Sequence, residues 1–207
     1  MAYSTFSGPV RSKGGFTSIS ENSSTGAIST LSSISATGVS SFDANTLATE
    51  AGTGITTGSG TIYRSSVQRV GGIITTRILI DLTGLRSTGS GDIIGVDGTA
   101  LVCHIGQITA AQNGTILTGS MECFEAPAGG DPDINIHSAT EGTGVEDGAI
   151  ADLTETLLVN AGDATLGSKV FFSAVPAADQ FLYLTTGAAT EADYTAGKLF
   201  IEMMGYA

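Results

Sequence analysis

The 207-residue chain has no tryptophan, and aromatic residues make up only 6% of it. Sugar-binding faces generally stack their ligands on aromatic rings, and the Phe and Tyr present fall mostly in strand patterns where core packing accounts for them. A lectin-like role is therefore disfavoured. Histidine is equally scarce: His104 and His137 are the only two, and neither has a second metal-ligating residue at a recognised spacing. His104, in the middle of an expected strand, reads as a satisfied core or edge residue rather than a catalyst. There is no Gly-x-Ser-x-Gly elbow, no His-Glu-x-x-His helix and no Walker loop. Gly52-Thr53-Gly54 and Gly142-Thr143-Gly144 lack the rest of a dinucleotide fingerprint and read as turns. The expectation is a protein that is not an enzyme, with no catalytic residues, no cofactor and no metal. Asp131-Pro132-Asp133 with Glu125 would offer oxygen ligands to Ca²⁺, but the spacing matches no EF-hand loop, so solvated turn acids are expected.

Long apolar runs are missing as well, which excludes a helical membrane span. Met1–Val10 lacks a basic region followed by an apolar stretch, so no signal peptide is expected and synthesis is placed in a host cytoplasm. With two cysteines and that compartment, Cys103 and Cys123 are expected as free, buried thiols.

Basic residues are the most unevenly distributed. Net charge is −12, yet residues 1–86 carry six Lys/Arg against four acids. Residues 87–168 hold twelve acids and no Lys or Arg at all. Affinity for nucleic acid comes largely from cationic side chains, so nucleic acid is excluded as a partner. The distribution fits a soluble, self-repelling surface, or, as the sharper alternative, an acidic outer face and a near-neutral docking end.

What the chain has is Gly, Ser, Thr and β-branched residues in period-two runs, which predict many short strands and tight turns. The organising stretch is Ile74 to Leu82, where Ile74, Thr76, Ile78, Ile80 and Leu82 alternate with Thr75, Arg77, Leu79 and Asp81. It reads as a strand with one buried face, joined to a strand over residues 61–70 through Gly71-Gly72. Asn113-Gly114 between two β-rich runs predicts a type I′ hairpin, in which Cys103 faces Phe124 and His104 faces Cys123. Residues 149–161 read as a short helix, with a strand ending in Leu157-Leu158-Val159 as the alternative. Three strands are expected at the close, over 169–175, 180–186 and 198–205, the first two joined as a hairpin through Pro176-Ala177-Ala178-Asp179. Residues 125–148 read as an acidic, turn-rich surface excursion with a brief strand at Ile134-Asn135-Ile136-His137. The domain reading is an extended N-terminal arm over 1–19, followed by a single β domain over 20–207 with a subdivision near 60. The fold class is all-β: an antiparallel β-sandwich, jelly-roll-like, with an extended N-terminal arm.

Several stretches carry a resemblance. The opening Ser4-Thr5-Phe6-Ser7-Gly8-Pro9-Val10, with Ser12-Lys13 and Gly15-Phe16, resembles the start of small virion proteins of tailed bacteriophages. The close, Ala192-Asp193-Tyr194-Thr195-Ala196-Gly197-Lys198-Leu199-Phe200-Ile201-Glu202, is similar to their end. Ile80 to Leu85, His104 to Thr109 and Glu125 to Asp133 have the same character. The resemblance implies a capsid decoration (cement) protein on the outer surface of the virion head, clamping neighbouring major capsid subunits. It implies a homo-oligomer, with a trimer favoured over a dimer, and no membrane partner. Phe6, Pro9, Val10, Arg11, Lys13 and Phe16 are the expected capsid contacts. The rival expectation is a head-fibre or tail-associated module that binds host-surface glycans.

Overall fold

The computed structural model describes residues 16–21, 28–34, 47, 50–98 and 100–207. The chain divides into two compact units, Met1–Ala44 and Asn45–Ala207. In the first, β1 (Phe16–Glu21) and β2 (Ile28–Ile34) form an antiparallel ribbon with Phe16 opposite Ile34 and an irregularity between Ser18 and Ile19. β1 begins within the segment expected as an extended arm. The other expected capsid contacts, Phe6, Pro9, Val10, Arg11 and Lys13, lie outside the described residues.

Among its described residues the second unit has antiparallel strands, two one-turn helices, α1 (Thr53–Thr56) and α2 (Ala110–Asn113), and a 3₁₀ turn. Its larger sheet has the strand order β3-β4-β12-β6-β9. These strands are β3 (Ile62–Val70), β4 (Ile73–Asp81), β6 (Thr115–Ala128), β9 (Lys169–Phe171) and β12 (Ala196–Tyr206). The hairpin at Gly71-Gly72 forms as expected, with Val70 opposite Ile73 and Gly71 at φ 62°, a value a two-residue loop needs at its first position. On β4 the alternation is realised in full: Ile74, Thr76, Ile78, Ile80 and then Leu82 are completely buried. Each aliphatic side chain sealed in this way contributes about 2 kcal/mol. Leu199, Ile201 and Met203 of β12 and Met121 and Cys123 of β6 complete the inner face.

The smaller sheet, in the order β10-β7-β8, consists of β7 (Ile134–Ala139), β8 (Glu155–Val159) and β10 (Phe181–Thr186). It shares one hydrophobic core with the larger sheet. A two-stranded ribbon pairs β5 (Arg86–Ser87) with β11 (Ala192–Asp193).

Four expectations are corrected. The Asn113-Gly114 hairpin does not form. Residues Ala110–Asn113 make a helical turn, α2, and β6 starts only at Thr115. Thr109 caps that turn by accepting the Gln112 N–H, and the Asn113 side chain accepts the Thr109 N–H at 2.9 Å. These side-chain bonds hold the backbone in an alternative to the I′ turn, in which Asn113 would need positive φ; the only described non-glycine residues with positive φ are Asp147 and Asp179. Gly114 alone takes the left-handed conformation, where a Cβ would collide with the Tyr206 carbonyl. Cys103 and His104 therefore do not face Phe124 and Cys123. Secondly, β9 and β10 belong to different sheets, so Pro176 to Asp179 joins no hairpin. Thirdly, residues 149–161 follow the strand alternative: a 3₁₀ turn at Ile150–Asp152 gives way to β8, because Leu158 and Val159 are drawn into the core. Lastly, residues 125–148 are not wholly a surface excursion: the brief strand expected at Ile134 to His137 forms as β7, but it is the central strand of the smaller sheet, with Ile134 and Ile136 fully buried.

Candidate docking surface

The residues with potential chemistry lie apart from one another. His104 is buried against the Phe181 ring, 5.0 Å between centroids, with Nδ1 unpartnered. Desolvation pushes its pKa down. His137 Nδ1 instead meets Glu155 Oε2 at 2.8 Å on the smaller sheet. Cys103 and Cys123 are free and buried. Burial pushes the Cys103 thiol up to about 12, so it stays protonated at neutral pH. Asp131 is not a solvated turn acid: it is 1% exposed, one carboxylate oxygen accepting the Asp133 N–H and the other the Thr190 N–H. Its backbone carbonyl accepts the Tyr194 hydroxyl at 2.7 Å. Its role is to pin loops together. Among the described residues, no three His, Cys, Asp or Glu side chains are grouped to hold a metal ion.

The feature that stands out is the outward face of the larger sheet. Alternation along β4 and β12 sends Leu79, Arg77 and Thr75 outward beside Phe200, Glu202 and Met204, their register partners. A register shift in β6 between its partners of Lys198 and Leu199 makes room for Phe124, whose ring stacks on Phe200 at 5.1 Å and 11°. Phe171 of β9, Met204 and Tyr206 are 68%, 42% and 58% exposed. These rings are strand residues, as the sequence indicates, but core packing does not account for them. Sequence reasoning missed them because β12 is apolar on both faces, Leu199-Phe200-Ile201 and Met203-Met204, so period two alone does not say which side is open.

Charge on this face is balanced. Arg77 pairs with Glu202 at 2.7 Å, Lys169 with Glu122 at 3.3 Å, and Lys198 with both Asp81, at 3.3 Å, and Glu125. Desolvation opposes ionisation of Asp81, but hydrogen bonds from Thr83 and Lys198 outweigh it and hold the pKa below the usual carboxylate range. With Arg64, the face carries four cations and four acids. Asn45–Ala207 as a whole has six cations and eighteen acids. Two cations and fourteen acids therefore lie elsewhere, and the entire net charge of −12 sits off this face.

Comparison of the chain with protein-family models, with curated proteins and with solved structures finds no match.

Proposed function

We propose that the chain is a non-enzymatic virion protein of a tailed bacteriophage. In this reading it binds the outer surface of the icosahedral head and clamps neighbouring major capsid subunits as a decoration or cement protein. A jelly-roll-like body belongs to the same reading. The observation that carries it, beside the resemblance at both ends of the chain, is the partition of charge between the two units. Met1–Ala44 is neutral, with Arg11 and Lys13 balancing Glu21 and Asp43, and contains the apolar residues Phe6, Val10 and Phe16. Asn45–Ala207 carries all of the −12. A neutral segment with apolar side chains docks on a protein shell without electrostatic cost, while the acidic body stays in solvent and keeps decorated particles apart. Phe6, Pro9, Val10, Arg11, Lys13 and Phe16 are the contacts this reading assigns. Because several copies act on one lattice, individually weak contacts suffice.

The test is co-sedimentation of the purified protein with expanded shells stripped of decoration. Saturable binding with a raised shell melting temperature is expected, and removal of residues 1–16 abolishes it. Absence of binding refutes the reading. The exposed Phe124, Phe171 and Tyr206 rings, with the half-buried Phe200 stacked on Phe124, favour a second reading, a head-fibre or tail-associated module that holds host-surface glycans. In that case the protein labels host cells and ignores shells.

A further inference from the structure

We propose that the outward face of the larger sheet is the surface through which copies of this chain associate, and that its occupant is the same face of a second copy. The size of the face fits. Four long strands at about 4.8 Å spacing and about nine residues at about 3.3 Å each give roughly 600 Å² of flat area. That is of the order of the ~800 Å² per partner in a stable interface. Two sheets stacked face to face interdigitate their side chains across about 10 Å, and the stacked pair Phe124–Phe200 with Phe171 and Met204 supplies the relief to do so.

Electrostatics selects the occupant. Within Asn45–Ala207 the whole −12 lies away from this face, so two such bodies that approach through their other surfaces bring net acid against net acid. The neutral faces of two bodies meet without net repulsion, and three of the four cations there already hold acidic intramolecular partners, Arg77 with Glu202, Lys169 with Glu122 and Lys198 with Asp81, while Arg64 donates to the Tyr63 carbonyl. Burying charges that are already paired avoids stranding an unpartnered ion in the interface. The acids elsewhere thus restrict self-association to one surface, leaving the N-terminal unit of each copy to act in parallel with the others. The association does not depend on shell binding, so the two readings stand or fall separately.

The experiment is sedimentation velocity on the full-length protein across about 1–100 μM, a range that brackets micromolar association. Wild type is expected to sediment at twice the monomer mass, since a face that pairs with itself closes a two-fold dimer. Raising the salt strengthens association, because it screens repulsion between the acidic remainders. Phe171→Glu and Met204→Glu, both at exposed positions, weaken association at least about tenfold, a loss of about 1.4 kcal/mol, with unchanged thermal melting. Leu157→Glu, exposed on β8 in the other sheet, leaves association intact. As a second readout, oxidation of Met204 by hydroxyl radical slows with protein concentration. A wild type that stays monomeric throughout, or an oligomer that survives both face substitutions, overturns the proposal. If the substitutions abolish shell sedimentation or cell labelling but not the oligomer, the face belongs to the shell or to a glycan, and the proposal is likewise overturned. If association and its loss behave as expected while shells are ignored, the interface stands and the decoration reading fails.

Discussion

Asn113→Gly separates two ways of reading one dipeptide. Were Asn113-Gly114 the loop of a type I′ hairpin, Gly-Gly would serve nearly as well and the change would be almost neutral. In the structure Asn113 is fully buried: Oδ1 accepts the Thr109 N–H at 2.9 Å and Nδ2 donates to Thr76 Oγ1 at 2.8 Å. Thr76 stands on the inner face of β4, so this one side chain ties α2 to the central sheet. Losing two such bonds costs about 1–1.5 kcal/mol each, and the glycine backbone adds about 0.5–1 kcal/mol of chain entropy, for a total of about 3 kcal/mol. At about 2–4 °C per kcal/mol for a domain of this size, the melting temperature should fall by roughly 6–12 °C. Calorimetric melting and urea titration with an unchanged slope measure it. Asn113→Asp keeps the acceptor but aims a carboxylate at Thr76. It should be worse still at neutral pH and recover part of its stability in acid, where the protonated group donates again. An Asn113→Gly variant within about 0.5 kcal/mol of wild type would refute the role assigned to the side chain.

Other consequences follow from the same geometry. Ile78→Ala, at the centre of the buried β4 face, should cost about 3–4 kcal/mol in urea unfolding, whereas Ile73→Ala at its exposed end stays under about 1 kcal/mol. His104 is held neutral by burial, so the unfolded chain takes up its proton first. Its contribution to stability is complete above the unfolded value of about 6.5 and declines as pH falls below it, and His104→Gln should flatten that part of a melting-versus-pH profile. Arg86 touches Asp97, Glu191 and Asp193 at 3.6, 2.7 and 3.1 Å; Arg86→Gln should lower the melting temperature at low ionic strength, the difference narrowing as salt screens the three carboxylates.

The elements legible in the sequence were those whose pattern and burial agree. β4 alternates strictly because one of its faces is sealed, and the Gly71-Gly72 loop is short enough to fix the register of β3 against it. Where local and tertiary preferences compete, the pattern misled. Asn113-Gly114 has the composition of a turn, but the hydroxyl of Thr109 and the side chain of Asn113 find partners that the hairpin would not offer. Residues 149–161 have leucines at helical spacing, yet Leu158 and Val159 are claimed by the core beside β7. The outward face of the larger sheet was the least legible, since it depends on which side of β12 is covered and on a register shift that brings Phe124 over Phe200. Neither is encoded within one strand.

Separation of charge along the chain has a structural consequence of its own. The twelve acids of residues 87–168 have no Lys or Arg within their own segment, so any ion pair with those residue types reaches outside it. Glu122 meets Lys169, Glu125 meets Lys198 and Asp97 meets Arg86. Two of these pairs lie on the larger sheet and fasten β6 to its neighbours β9 and β12 on either side; the third anchors the loop around Asp97 to β5. Three cations cannot neutralise twelve acids, and the surplus is displayed away from the sheet face where the pairs are concentrated. One uneven distribution of charge thus both cross-ties distant parts of the chain and leaves the outward face of the larger sheet balanced while the net charge of the body lies off it.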